Sequence, residues 1–220
     1  MQDYLEHYFR SDRNVGRVLD YLDQSGLAEN TMVVYSSDQG FYLGEHGWFD
    51  KRFMYEESHH MPLLIRYPKH LKAGTIDKAI HTNTDFAPTI LTEAGLKVPT
   101  DMQGQSFFSK NPKKATYYHY YEYPAEHSVQ THFGIRTDRY KLIRFYNDGE
   151  YWELYDLQKR PHELKNVAGN PAYKTIQKQL LAELKKTIRT YDDTEAEAIL
   201  KKKVFEWLFF YFFHGFLKTF

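Results

Sequence analysis

Residues 32–52 read "MVVYSSDQGFYLGEHGWFDKR". Met32-Val33-Val34-Tyr35 is a short apolar, β-branched run and predicts a buried strand. It ends on Asp38 and Gln39, then passes through Gly40, Gly44 and Gly47, with His46 and Lys51 between and after them. Loops that leave the ends of buried strands are where α/β proteins place their chemistry. Asp38 and Gln39 are adjacent oxygen donors of the kind a hard cation such as Ca²⁺ takes, although such a cation wants six or more oxygens. The same residues also fit a plain turn after a strand. Lys51 is a compact cation suited to a sulfate or phosphate oxygen, and His46 can donate a hydrogen bond or a proton there. A solvated loop lysine and a surface histidine are the alternative. The glycines would let the backbone approach a ligand closely.

Around this loop the chain alternates helix and strand. Tyr4, Leu5, Tyr8, Val15, Val18, Leu19 and Leu22 recur at helical spacing, with Gly26 as the C-cap. Residues 31–36 and 61–68 ("MPLLIRYP") predict two strands apolar on both faces, as in a covered parallel sheet. "HTNTDFAPTILTEAGL" predicts a helix with Thr84 or Asp85 as N-cap and Gly95 just past its end. Residues 99–114 are rich in Pro, Gly, Asn, Lys and Ser and predict a linker or long loop. Then come "ATYYHYYEYP", "HFGIRTDRYKLIRFY" and "EYWELYDL", aromatic and β-branched strands with a tight hairpin at Asp138-Arg139. Ile176, Leu180, Leu184 and Ile188 mark a closing helix over 171–190. Two strands do not complete a parallel sheet, and an uncovered apolar edge would favour self-association.

The totals exclude some classes. The 220 residues carry 29 Lys plus Arg and 29 Asp plus Glu, a balance that suggests no nucleic-acid partner. There is no cysteine, hence no disulfide, thiolate metal site or cysteine nucleophile within the chain. The first 22 residues carry charges throughout and predict no secretory signal, and no stretch has the roughly 20 apolar residues of a membrane span. Adjacent His59 and His60 are poor zinc ligands because they project differently. His127 and His132, with the tyrosines of 120–123, could face a sugar ring or pack within a small sheet. Val204–Phe220 has nine aromatics in seventeen residues and no clean period. It reads as a membrane-associating tail or as out-of-frame sequence.

The segments "VVYSSDQGFYLGEHGWFDKRFMYEESHHMPLLIRYP", "TDFAPTILTEAGL", "DMQGQSFF", "HFGIRTDRYKLIRFY" and "WELYDLQKRPHELKNV" resemble, in that order, the C-terminal half of a type I sulfatase of the alkaline phosphatase-like superfamily, in the style of bacterial carbohydrate sulfatases. The resemblance covers about residues 1–191. It implies an α/β fold: part of the core sheet with its helices in 1–98, a linker in 99–114, and a small antiparallel sheet plus helix in 115–191, followed by an atypical tail, 192–220. It implies that Asp38 and Gln39 bind Ca²⁺, that Lys51 contacts the sulfate and the leaving oxygen, that His46 lies beside them, and that the substrate is a sulfated carbohydrate met in the periplasm or outside the cell. The family's nucleophile is a formylglycine made from Cys or Ser in Cys/Ser-x-Pro-x-Arg, and no such motif occurs here. The reading is therefore a sulfatase portion inactive by itself. A non-catalytic module that binds sulfated glycans is the alternative; a related phosphoesterase would need paired Asp/His zinc sites that the sequence lacks.

Overall fold

The computed structural model describes residues 2–124 and 126–202, so the aromatic run Val204–Phe220 lies outside the described residues. The chain divides into two units, Met1–Gln39 with Met61–Lys78, and Gly40–His60 with Ala79–Phe220.

In the first unit α1 spans Gln2–Gln24. Its half-buried side includes Val15, Leu19 and Leu22, while Tyr8 and Val18 are exposed. Gly26, at φ 70°, ends it as expected: the Gly26 amide donates to Asp23 O and the Leu27 amide to Leu22 O. Strands β1 (Val33–Ser36) and β2 (Leu63–Arg66) pair with each other. They run antiparallel, with Val33 opposite Arg66 and Tyr35 opposite Leu64, which corrects the parallel arrangement expected from their apolar runs. The pair is also not covered on both faces, since Leu64 is 63% exposed and Tyr35 37%. Arg66 reaches back to both carboxylate oxygens of Asp23 near the end of α1.

The second unit is built on a four-stranded antiparallel meander, β3 (Ala115–Tyr120), β4 (His132–Thr137), β5 (Tyr140–Phe145) and β6 (Tyr151–Asp156), in sequence order. The Asp138-Arg139 hairpin forms as expected, fastened by Thr137 Oγ1, which accepts from the Tyr140 amide at 2.9 Å. Alternation along the strands sends Phe133, Ile135, Leu142 and Leu154 to one face, where Leu180, Leu184 and Ile188 of the closing helix meet them. That helix is preceded by a 3₁₀ turn at Pro171–Tyr173. Before it in the chain come the short α2 (Glu56–His59) and α3 (Phe86–Glu93); the closing helix itself is α4 (Lys174–Thr190). Ala196, in the helical residues 194–202, joins the same core.

Ile143, Phe145, Tyr120 and Tyr155 face the other way, against Tyr42, Phe53 and Met54. The meander is thus buried on both faces, by α4 on one and by the 40–58 loop on the other. Gly134 makes the second contact possible: a Cβ there would fall 2.5 Å from Leu142 O and 2.8 Å from Met54 Sδ.

Asp85 is the N-cap of α3, one of the two residues expected there. A 3₁₀ turn at Asn83–Asp85 precedes it and is capped by Thr82, whose amide donates to the Asp85 carboxylate at 2.9 Å. Buried Asp85 also accepts from the Gln105 amide at 2.8 Å and Lys113 Nζ at 2.7 Å, and the Phe107 amide donates to Thr89 Oγ1 at 2.9 Å. These bonds hold the irregular 99–114 segment against α3.

Candidate active site

The loop quoted at the outset closes on itself. Gly40 donates to Ser58 O at 2.8 Å, Tyr42 to Asp50 O at 2.8 Å, and Gly44 to Trp48 O at 3.0 Å. Its tip turns on positive φ at Gly44 (123°), His46 (55°) and Gly47 (78°). Gly40 serves the loop rather than a ligand: an added Cβ would overlap Glu57 O, so only glycine fits where the two arms cross. Tyr42 is fully buried; its hydroxyl donates to Phe53 O at 2.7 Å and accepts from the Tyr55 amide at 3.3 Å. Burial pushes that phenol well above the usual tyrosine range.

His46 sits in the curve of this loop. Its Nε2 lies 3.3 Å from Glu57 Oε2, with the side chains only 10% and 20% exposed. Its ring stacks on Tyr55 at 4.3 Å and 16°. The Tyr55 hydroxyl donates to Glu153 Oε2 on β6 at 2.9 Å, and the Tyr155 hydroxyl donates to the same oxygen at 3.0 Å. Burial, only partly offset by those two hydroxyls, raises the Glu153 carboxyl.

Lys51 is half-buried and its backbone is held at both ends, the amide by Asp50 Oδ1 at 2.5 Å and the carbonyl by Ser58 Oγ at 2.6 Å. Arg52 Nη1 bonds both Asp50 oxygens at 3.0 Å. Burial works to raise the Asp50 carboxyl, but the Lys51 amide and Arg52 outweigh it and hold it low.

Beneath the loop lies a buried charge network that sequence reasoning missed. Glu56 takes a bidentate contact from Arg136, at 3.2 and 3.0 Å, and a third from Lys141 Nζ at 2.9 Å. Lys141, fully buried, also meets Glu163 Oε1 at 2.7 Å, a charge contact outside hydrogen-bond alignment. Glu163 accepts the Glu56 amide at 2.7 Å. Burial would raise the Glu56 carboxyl, but Arg136 and Lys141 hold it down to about 2. Two acids and two bases balance, and they fix α2, hence the end of the loop, to β4 and β5.

Asp38 and Gln39 close the first unit, whereas His46 and Lys51 belong to the second. Ser37 Oγ donates to Asp38 Oδ1 at 3.3 Å and to Gln39 O at 3.0 Å, which shapes the turn after β1. Among the described residues no group of three or more His, Asp or Glu is placed to hold a metal ion. His59 turns inward, edge-on to Tyr118 at 4.4 Å, and burial pushes it down to about 3, while His60 is exposed.

His127 is exposed on the loop after β3. His132 corrects the expectation of a sugar-facing ring. It is fully buried, and packs against Phe53, Tyr118, Tyr120 and Phe145 at 5.0–5.6 Å. Alternation on β4 puts it on the same face as Gly134 and Arg136, beneath the loop. Its Nδ1 meets Gln130 O at 2.8 Å, Nε2 has no partner among the described residues, and burial pushes it down to about 4.

Residues 44–190 match the model of the family described as N-sulphoglucosamine sulphohydrolase, C-terminal. The chain belongs to that sulfatase family. An N-acetylglucosamine-6-O-sulfatase of Bacteroides thetaiotaomicron is 53% identical over 214 residues, 92% of this chain and 38% of that protein. An arylsulfatase of Clostridium perfringens is 31% identical, over 83% of this chain and 39% of its own length. A solved structure in complex with its substrate D-glucosamine-2-N,6-O-disulfate superposes with a TM-score of 0.79 at 54% identity, covering 83% of this chain and 39% of that one. The chain thus spans under two fifths of the length of these sulfatases, and it corresponds to the C-terminal part of an alkaline phosphatase-like fold. No helix among the described residues is long and apolar enough to cross a membrane.

Proposed function

We propose that this chain is the C-terminal portion of a carbohydrate sulfatase and supplies one side of its sulfate site. The observation that supports this most is the 53% identity to an N-acetylglucosamine-6-O-sulfatase across nearly the whole chain, including the 40–58 loop. In this reading Lys51 offsets negative charge on the sulfate and on the sugar oxygen that leaves, which is the kind of preorganised stabilisation that accelerates ester cleavage. Its backbone is fixed by Asp50 and Ser58, so the cation is delivered from a set position. His46 lies on the same loop, where an imidazole can hold or release a proton. His127, exposed, remains free to meet the sugar.

Asp38 and Gln39 would give two or three of the oxygens of a calcium site. That falls short of the six to eight such an ion takes, so these residues do not make the site by themselves and no step here depends on it. The nucleophile would come from outside this chain, since the motif that carries it is absent from the sequence.

Three measurements test the reading. The chain should bind glucosamine 6-sulfate weakly, Lys51→Ala should abolish that binding, and neither protein should turn over aryl sulfates. Calcium should bind at about 10⁻³ M or weaker. Turnover abolished by Lys51→Ala, or micromolar calcium binding abolished by Asp38→Ala, would contradict it. Binding of sulfated sugar that Lys51→Ala leaves intact would place the sugar elsewhere and favour a glycan-binding module.

A further inference from the structure

The outer side of α4 carries a line of positive charge that the fold does not require. Leu180, Leu184 and Ile188 turn inward onto the meander, while the charged residues of the helix, Lys174, Lys178, Glu183, Lys185, Lys186 and Arg189, are all exposed. At about 100° per residue, Lys174, Lys178, Lys185 and Arg189 fall within about 60° of one another, in a stripe about 22 Å long. Glu183 lies outside it, about 150° from its midline. The stripe passes Ala182, where a shallow groove opens, lined by Ala182, Lys185, Lys186, Arg189 and Thr190. Helix stability does not account for this arrangement. Lys174 with Lys178, and Lys185 with Arg189, are i,i+4 pairs of like charge, which repel. Lys174 opens the helix, where the dipole favours acids, and the first turn holds none. Lys186 lies 4.0 Å from Glu183 and Arg189 3.7 Å from Glu197, pairs open to water and so weak. Lys174, Lys178 and Lys185 make no ion pair among the described residues. The chain as a whole is neutral, so the stripe is a local concentration of charge and not a share of a basic protein.

We propose that this stripe docks an extended sulfated polysaccharide, one chain laid along α4 and held by its sulfates. The choice of a sulfated glycan among polyanions rests on the sulfatase reading above. α4 covers one face of the meander and the loop that bears Lys51 covers the other, so a single sugar cannot touch both. A single sulfated sugar on α4 meets one or two exposed cations, a contact that water and salt screen. A polymer repeats its anions along a line, as the stripe repeats its cations, and many weak contacts then add up. A chain held there keeps its other sulfated units at high local concentration around the same molecule. The stripe therefore selects by length as well as by charge.

The probes are heparin, and hyaluronan as a polymer with carboxylates but no sulfate, each titrated against the chain at rising NaCl. At about 0.15 M salt heparin should bind and hyaluronan should not, and heparin affinity should fall steeply as salt rises. Lys174→Gln, Lys178→Gln, Lys185→Gln and Arg189→Gln together should weaken heparin binding by about tenfold or more and flatten its salt dependence. Glutamine is a good helix former, so α4 should persist, and circular dichroism checks it. Removing the same number of charges at exposed Lys69, Lys72, Lys78 and Lys110 should leave heparin binding unchanged. Footprinting by lysine acetylation needs no variant: heparin should shield Lys174, Lys178 and Lys185 and leave Lys69 and Lys72 reactive. Lys51→Ala should still bind heparin, and the stripe variant should keep whatever glucosamine 6-sulfate binding the parent has, so the two readings fail separately. No heparin binding, an equal loss in the control variant, unshielded lysines on α4, or single-stranded DNA bound as tightly as heparin would overturn the proposal.

Discussion

Replacing Glu56 by glutamine removes one charge from the buried network and keeps the side chain's shape. Lys141 then keeps Glu163, while Arg136 loses the carboxylate it grips, which leaves one part-buried positive charge without its partner. Breaking a buried pair from one side typically costs about 3–5 kcal/mol. The carboxyl's own ionisation gives a second route to the size of the effect. Its pKa falls from the ordinary 4.5 to about 2 on folding, which corresponds to about 3 kcal/mol. The sign follows from linkage: a depressed acid stabilises the fold above its unfolded pKa of 4.5 and loses that contribution as pH drops toward 2. Urea unfolding at pH 7 should therefore show Glu56→Gln less stable than the parent by about 3 kcal/mol, with the gap shrinking by roughly half at pH 3. A gap under about 1 kcal/mol at pH 7, or one unchanged at pH 3, would mean that the network is screened or rearranged and that α2 is not held to the sheet by charge.

Gly40→Ala should destabilise the fold by about 1–3 kcal/mol, because the new methyl runs into Glu57 O. Gly16→Ala on α1, with nothing within 4 Å, should instead stabilise by about 0.5–1 kcal/mol, and thermal melts of the two variants check both signs. His132→Phe should flatten the acid limb of the stability curve. The buried imidazole, lowered from 6.5 to about 4, favours the fold above pH 6.5 and withdraws about 3 kcal/mol as pH falls through that window; denaturation at pH 7 and pH 4 measures it. Amides in β4 and β5 should exchange more slowly than those in β1. Sedimentation should show association that Leu64→Lys reduces, since Tyr35 and Leu64 are exposed neighbours across β1 and β2.

What the sequence disclosed was mostly local. The Asp138-Arg139 hairpin, the glycine caps at Gly26 and Gly95, and the Leu180-Leu184-Ile188 stripe each follow from neighbours a few residues apart, and the structure has them all. The misreadings came where partners are far away. Lys141 and Arg144 are strand residues of a type normally exposed, yet both are buried. Lys141 is answered by Glu56 and Glu163 and Arg144 by Glu150, and Arg136 finds Glu56 eighty positions earlier. His132 read as a sugar contact because a strand histidine near tyrosines carries no mark of which face it takes. Apolar runs at β1 and β2 suggested a covered parallel sheet, but apolar residues can also face outward, and the two strands pair antiparallel. Among the candidate site residues, Lys51 and His46 were singled out from the loop's composition alone. The contacts that Glu57 and Tyr55 make with His46 were not, since nothing in "MYEES" shows which side chain turns back onto the loop.

Met54 seats its sulfur against Gly134, in a space a single carbon would overfill, and is wholly enclosed between loop and sheet. A sulfoxide there would bring an oxygen into a lining with no donor role for it. Peroxide can therefore reach this thioether only when the loop lifts from the meander. The oxidation rate of Met54, followed by mass, becomes a clock for that opening, built into the protein without any added label.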